Sequence, residues 1–299
     1  MFEQSSSNLP KANMMSRSNL NLIAVCQMTS TSDIEANYKT CEQLVHRASQ
    51  MGAEMTFLPE GCDFISKTKE EAVAMAISLD GELMSRYKNL AMKYDQWLSL
   101  GGVHLKEDGN MLSNAHILID NFGKIIAVYK KTHLFDVDIP NVVRLKETDQ
   151  TIPGTRLISP VRSPVGSVGM AICYDMRFPE LSIALTKRGA DILTFPSAFT
   201  QTTGMAHWEV LLRSRAIENQ CYVAAAAQTG KHNEKRTSYG HAMIVDPWGT
   251  ILACCREGAD VCVANVDHDY IQQVRKRMPV WEHRRHDIYG TVLFNGDKL

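Results

Sequence analysis

The chain has 299 residues, 44% hydrophobic and 22% charged, which suits a soluble globular protein with one large domain or two small ones. Its 32 basic and 33 acidic side chains leave a formal charge of -1 without a long like-charged block, so nothing recruits nucleic acid or an anionic membrane. The eight cysteines are scattered through apolar segments without a CxxC pair, which reads as free thiols in a reducing compartment and against a structural zinc site.

Residues 1–18, with Ser5-Ser6-Ser7-Asn8, carry no core-forming pattern and read as a flexible tail ahead of a single domain over 19–299 that ends in a C-terminal arm. The tail lacks the apolar segment of a secretion signal. With Glu3 as its one acid, it admits a mitochondrial destination beside a cytoplasmic one. No run approaches the ~20 apolar residues that span a bilayer.

Leu20 to Met28 reads as a buried strand. Asp33 then caps a helix to about Met51, with Tyr38, Cys41, Leu44, Val45 and Ala48 on one face. Strand Glu54 to Leu58 completes a β-α-β unit and delivers Pro59-Glu60 at its carboxyl end; by itself Glu60 is a loop acid. A helix from Asp80 to Tyr94 and a strand from Trp97 to Val103 follow. Ala115 to Asp120 and Lys124 to Tyr129 then form a hairpin about Asn121-Phe122-Gly123. It ends in Lys130-Lys131, where Lys131 alone is a solvated edge guard.

From Val168 an apolar run ends in Cys173-Tyr174-Asp175, and Pro179-Glu180 opens a helix to about Arg188. Cys173 therefore stands at a strand's carboxyl end near a helix N-terminus, whose partial positive charge favours thiolate. The alternative is a buried structural cysteine. Strand Asp191 to Phe195 closes a second β-α-β unit. The helix from His207 to Asn219 carries Arg213, Arg215 and Glu218, too polar for a core and too dense to ignore, with a solvent face of ion pairs as the plain alternative. Strand Cys221 to Ala227, a hairpin through Asp246-Pro247-Trp248-Gly249 and strand Asp260 to Val266 follow. Tyr270 to Leu299 forms a helix plus an arm, in which His283 and His286 are either a ligand pair or a solvated basic turn.

Roughly ten to twelve strands, two hairpins and intervening helices predict a layered α/β domain with a mixed sheet. Glu60, Lys131 and Cys173 each emerge at the carboxyl end of a predicted strand, where ligand sites of α/β sheets gather.

Leu58-Pro59-Glu60, Tyr129-x-Lys131-Thr132-His133-Leu134-Phe135 and Cys173-Tyr174-Asp175-x-Arg177-Phe178-Pro179-Glu180 resemble the three signature regions of the nitrilase superfamily, the carbon–nitrogen hydrolases. Phe195 to Gly249 is similar to the Nit branch, the deaminated glutathione amidases, which some animals carry ahead of a Fhit domain. This chain has no histidine-triad motif, so a Fhit portion is expected to be absent or removed, with a functional link remaining open. The resemblance implies a four-layer α-β-β-α sandwich and a Glu60-Lys131-Cys173 triad, with Glu147 as a second carboxylate beside it. It also implies substrate contacts from Tyr174, His133 and Arg177. In the superfamily a helix corresponding to His207 to Asn219 lies between subunits. The mix of Trp208, Leu211, Leu212 and Ile217 with arginines suits an interface, so a homodimer or homotetramer is expected.

Amide hydrolysis needs an activated nucleophile, oxyanion stabilisation and a proton for the leaving amine. On the resemblance, Glu60 takes the Cys173 proton, Lys131 and the Tyr174 N–H hold the oxyanion, and a thioester forms without metal or organic cofactor. A carboxyl that serves as both base and acid is expected to titrate at about 6–7. Three other readings stay open: a Cys-His hydrolase using His133 or His241, the same triad acting on a nitrile, an N-carbamoyl compound or another ω-amide, and a non-catalytic signalling or binding scaffold.

Overall fold

The computed structural model describes residues 20–139 and 143–290, so the expected tail and the last nine residues of the arm lie outside the described residues. The first β-α-β unit is β1 (Leu22–Met28), α1 (Ile34–Gln50) and β2 (Met55–Glu60); Asp33 caps α1 by accepting from the Ala36 N–H. After α2 (Lys69–Met75) and α3 (Glu82–Tyr94) come β3 (Trp97–Glu107), β4 (Met111–Ile119) and β5 (Ile125–Lys130). A small ribbon, β6 (Asp136–Ile139) and β7 (Val143–Lys146), leads into a 3-10 turn at Glu147–Asp149.

A second layer of strands contains β8 (Val161–Ser163), β9 (Gly166–Met170), β10 (Ile192–Thr194) and β11 (Tyr222–Ala225), with α4 (Pro179–Lys187) and α5 (Gln201–Asn219) as crossovers. β12 (Ala227–Asn233) and β13 (Arg236–Tyr239) return to the first sheet. β14 (Met243–Val245) and β15 (Ile251–Cys254) complete the second. β16 (Asp260–Asn265), α6 (His268–Arg277) and α7 (His286–Tyr289) close the described chain.

The first sheet runs β13-β12-β1-β2-β3-β4-β5 with β16 also on β1, and the second runs β15-β14-β11-β10-β9-β8. Strands β1, β2 and β3 are parallel, whereas β3, β4 and β5 are antiparallel, which is the mixed arrangement expected. Alternation along a strand explains the layers. On β1, Ile23 and Val25 join the core shared with the second sheet, while Ala24, Cys26 and Met28 pack with Tyr38, Leu44, Leu83 and Tyr87 of α1 and α3. Leu181 and Leu185 of α4 and Trp208 and Leu212 of α5 cover the second sheet, which gives the four-layer α-β-β-α sandwich. Each fully buried Phe or Leu contributes about 1.5–3 kcal/mol, and burial on both faces is why the strands read as unbroken apolar runs.

Three features differ from expectation. Helix α5 starts at Gln201 instead of His207, because the Thr200 hydroxyl caps it by accepting from the Thr203 N–H. The single strand expected over Cys221 to Ala227 is two: β11 pairs β10 and β14, and after Ala226 the chain crosses to pair β1 as β12. A further hairpin joins β3 to β4 through Asp108-Gly109-Asn110, where Gly109 and Asn110 take positive φ. Sixteen strands therefore appear among the described residues, several only three residues long and below the resolution of a periodicity argument.

Candidate active site

Glu60 ends β2 directly opposite Gly102 of β3. A Cβ at Gly102 would lie 2.6 Å from Asn114 Oδ1 and 3.2 Å from the Glu60 Cα. One at Gly101 would lie 2.2 Å from both the Leu58 carbonyl oxygen and Pro196 Cβ. The two glycines thus let Glu60 and the Pro196 segment of the second sheet approach β3 at backbone distance. The Pro196 carbonyl accepts the Cys173 N–H at 2.9 Å, and the Ala198 N–H donates to Glu60 Oε2 at 3.0 Å. One short segment after β10 therefore fixes both the acid and the thiol.

Lys131 follows β5 and is held by its backbone, its N–H donating to the Asn114 carbonyl at 2.9 Å and its own carbonyl accepting from Gly154 at 2.8 Å. Its ammonium is 1% exposed and lies 3.0 Å from Glu60 Oε1 and 2.9 Å from Glu147 Oε1. The other Glu147 oxygen accepts the Phe135 N–H at 2.9 Å, so the ribbon of β6 and β7 is what delivers this second carboxylate. The Asn114 amide donates to Glu60 Oε1 at 2.9 Å.

Cys173 does not sit at the first turn of α4. It opens a separate one-turn 3-10 helix, Cys173–Arg177, with its own φ at 45°, in the left-handed region that costs a non-glycine residue about 1–2 kcal/mol. The surroundings hold it there. The fully buried Asp175 accepts at Oδ2 from the Ile172 N–H (2.9 Å) and the Tyr129 hydroxyl (2.8 Å), and at Oδ1 from the His133 N–H (3.1 Å). Arg215 Nε donates to the Met176 carbonyl at 2.8 Å. On the first sheet, His116 stands with Nδ1 3.1 Å from the Ala171 carbonyl oxygen and Nε2 2.6 Å from Ser99 Oγ. Burial pushes its pKa down to about 4, so it is a neutral peg.

Charges in the site follow from this packing. Burial raises the Glu60 carboxyl pKa. The Lys131 ammonium opposes it most strongly, aided by a hydrogen bond from the Cys173 thiol, and the balance leaves Glu60 below its ordinary value. Burial and then the Glu60 charge push the Cys173 thiol far up, against Lys131 and the Ala198 N–H. Burial would lower Lys131, but Glu147 and Glu60 outweigh it and hold the ammonium well above its ordinary range. The free site therefore holds a carboxylate, a neutral thiol and an ammonium. This corrects both the thiolate and the carboxyl at about 6–7 expected from sequence; the short 3-10 turn supplies little dipole, and the ammonium faces Glu60 as well as sulfur.

Of the expected substrate contacts, Tyr174 forms edge contacts with Phe135 and Phe178 at 5.0 and 5.4 Å, and the Arg177 guanidinium lies 5.4 Å from the Phe199 ring. His133 stacks on Phe178 at 3.7 Å with Nδ1 2.7 Å from Asp175 Oδ1, and His241 Nδ1 is 3.1 Å from the Tyr239 carbonyl oxygen. Each of these contacts uses Nδ1, and among the described residues neither ring hydrogen-bonds Cys173, whereas the Glu60 charge acts directly on the thiol. Sequence reasoning missed Asn114, His116 and Asp175, and it held Arg215 too polar for a core although only 5% of it is exposed. Asp175 was findable, since it lies inside the Cys173 motif; Asn114 and His116 had no local signal.

The family follows from this arrangement together with a match of residues 22–276 to the carbon-nitrogen hydrolases. This chain belongs to the carbon–nitrogen hydrolase family. The hydrolase is 53% identical over 279 residues to deaminated glutathione amidase of Bos taurus, covering 92% of this chain and 85% of the relative. It is 51% identical over 289 residues to the Homo sapiens protein of that name, covering 95% and 88%. The crystal structure of the Caenorhabditis elegans NitFhit protein superimposes with a TM-score of 0.89 at 52% identity, covering 92% of this hydrolase and 67% of that chain.

Proposed function

We propose that Cys173, Glu60 and Lys131 are nucleophile, general base and oxyanion partner of an amidase that hydrolyses the ω-amide of a small acid, with deaminated glutathione as substrate. The observation that carries the triad is that one buried carboxylate, Glu60, holds the Lys131 ammonium and the Ala198 N–H, each at 3.0 Å, while the Pro196 carbonyl of that same segment holds the Cys173 N–H at 2.9 Å. The substrate reading is supported by the names of the relatives.

Because Glu60 is ionised while Cys173 holds its proton, attack is coupled to proton transfer. Glu60 takes the thiol proton as sulfur bonds to the amide carbon. The oxyanion is met by the Lys131 ammonium and by the Tyr174 N–H, which lies too early in the 3-10 turn to have an acceptor inside it. The protonated Glu60 gives its proton to the departing amine, and a Cys173 thioester remains. Water enters, Glu60 deprotonates it, and collapse of the second tetrahedral species returns the proton to sulfur. Glu147 keeps the ammonium from pairing with Glu60 alone. Arg177 and the rings of Tyr174, Phe135 and Phe178 contact the rest of the substrate, and His133 orients them through Phe178. No residue in this scheme requires a metal or organic cofactor.

The deciding experiment measures amine or ammonia release from deaminated glutathione, other ω-amides, nitriles and N-carbamoyl compounds, with Cys173→Ala as control. Turnover of deaminated glutathione that vanishes in the variant supports the proposal. Turnover of a nitrile or carbamoyl compound instead supports the other substrate class, and silence on every compound favours the scaffold.

Assembly as a homodimer or homotetramer is part of the same proposal. Met205, Val210 and Ile217 of α5 are exposed, as are Trp248 and Leu252 of the adjoining β14-β15 hairpin. A Cβ at Gly249 of that hairpin would lie 2.6 Å from the Ile217 side chain, and Arg213 donates to the Gly249 carbonyl at 2.8 Å, so helix and hairpin adjoin in one face that mixes apolar groups with an arginine. Trp208 and Leu212, expected at an interface, are instead buried in this chain's own core. Residues 19–299 are read as one domain acting in the cytoplasm, with a mitochondrial pool where the tail serves as a presequence; fractionation of tagged full-length and tail-deleted chains tests this. A functional link to a Fhit domain is supported by the fused relatives of Caenorhabditis elegans and Drosophila melanogaster.

A further inference from the structure

The Ala242 carbonyl brings two cysteines together. It accepts the Cys255 N–H at 2.8 Å and lies 3.8 Å from the Cys262 sulfur. The Cys255 sulfur is 4.0 Å from the Val25 carbonyl oxygen, and Val25 is the strand partner of Cys262 in the β1-β16 ladder. The two cysteines thus share the Ala242 carbonyl and border the same stretch of β1. Between them the chain turns through Arg256 to Gly258, and this turn is pinned. The fully buried Gln27 amide donates to the Arg256 and Gly258 carbonyls, the latter at 2.7 Å, while its oxygen accepts the Ala242 N–H at 3.0 Å. Both cysteines are thus held on one frame that does not depend on the Glu60 site.

We infer that Cys255 and Cys262 form an oxidative modification site that closes to an intramolecular disulfide by exchange with a low-molecular-weight disulfide such as glutathione disulfide. Cys262 is the point of entry because it is partly exposed, whereas Cys255 is 2% exposed. A hydrogen bond with Cys262, together with burial, also keeps the Cys255 thiol protonated. The Cys262 thiolate attacks one sulfur of the small disulfide, forming a mixed disulfide and expelling one small thiolate, which takes a proton. Cys255 then attacks the Cys262 sulfur and passes its proton to the second small thiolate as that leaves. Two protein thiols are oxidised as one small disulfide is reduced to two thiols.

The other cysteines outside the catalytic site do not offer such a pair. Cys26, Cys41, Cys62 and Cys221 are fully buried. Cys254 is exposed, but successive residues of a strand point to opposite faces, so it faces away from Cys262.

The test incubates the full chain with glutathione disulfide, blocks remaining thiols under denaturing conditions and maps tryptic peptides by mass spectrometry. Cleavage after Arg256 separates the two cysteines, so their bond appears as two linked peptides. The wild type and Cys254→Ser should both give this linked species, and reductant should dissolve it. Cys255→Ser should instead accumulate glutathione on Cys262, and Cys262→Ser should give no link. Absence of the linked peptides in the wild type, their loss in Cys254→Ser, or no adduct on Cys262 in Cys255→Ser overturns the inference. Because the readout is mass and not turnover, its failure is independent of the amidase reading.

Discussion

Asp175 Oδ1 lies 2.7 Å from His133 Nδ1, and that contact joins the turn carrying Cys173 to the segment carrying Lys131. Asp175 on Nδ1 is also how a Cys-His mechanism would orient its imidazole, so His133 and Glu60 compete for the role of base. The roles separate by experiment. Glu60→Gln, given an activated ester, should acylate slowly and then stall, because deacylation requires a deprotonated water; an acyl adduct on Cys173 should appear in the intact mass. If His133→Ala traps the adduct and Glu60→Gln does not, the histidine is the base.

Lys131→Met should slow acylation and deacylation together, since the oxyanion forms in both. Loss of one such donor costs about 2.7–4 kcal/mol, or roughly 10²–10³ in turnover, and little thioester should accumulate. Single-turnover kinetics that slow only one half-reaction would contradict this role.

The lowered Glu60 pKa fixes the acid limb of activity. A base with a depressed pKa stays active as pH falls through the ordinary carboxylate range and is lost only below it. The acid limb of kcat/KM should therefore lie below the usual glutamate value; a limb at about 6–7 would restore the raised carboxyl expected from sequence.

Asp175→Asn removes a buried charge that accepts from backbone, tyrosine and histidine groups at once. Hydrogen bonds to charged groups are worth about 1.5–3 kcal/mol each, so chemical denaturation should reveal at least one such increment of lost stability. Gly102→Ala meets Asn114 Oδ1 and the Glu60 backbone instead, and it should depress turnover well beyond its effect on unfolding. Equal activity in Gly102→Ala and wild type would show that Glu60 tolerates displacement.

Val210→Glu places a charge in the exposed apolar face of α5. Light scattering should report a dimer or larger for the wild type at micromolar concentration and a monomer for the variant. A monomeric wild type would end the assembly proposal.

What the sequence alone determined is local. Unbroken apolar runs marked strands buried on both faces, Asn121-Phe122-Gly123 and Asp246-Pro247-Trp248-Gly249 marked two hairpins, and three motifs put Glu60, Lys131 and Cys173 at strand ends. Each depends on near neighbours in the chain, and spacing reports those faithfully. What only the tertiary structure decided is set by residues far apart in sequence. Glu60 meets Asn114, Lys131 and Ala198 across 54, 71 and 138 positions, and the contest between burial and these partners decides its charge. Arg215 reads as a surface cation until the Met176 carbonyl, 39 positions away, is packed against it. The change of sheet at Ala226 is equally silent, since an alanine run fits either sheet and only the strands already in place select its partner.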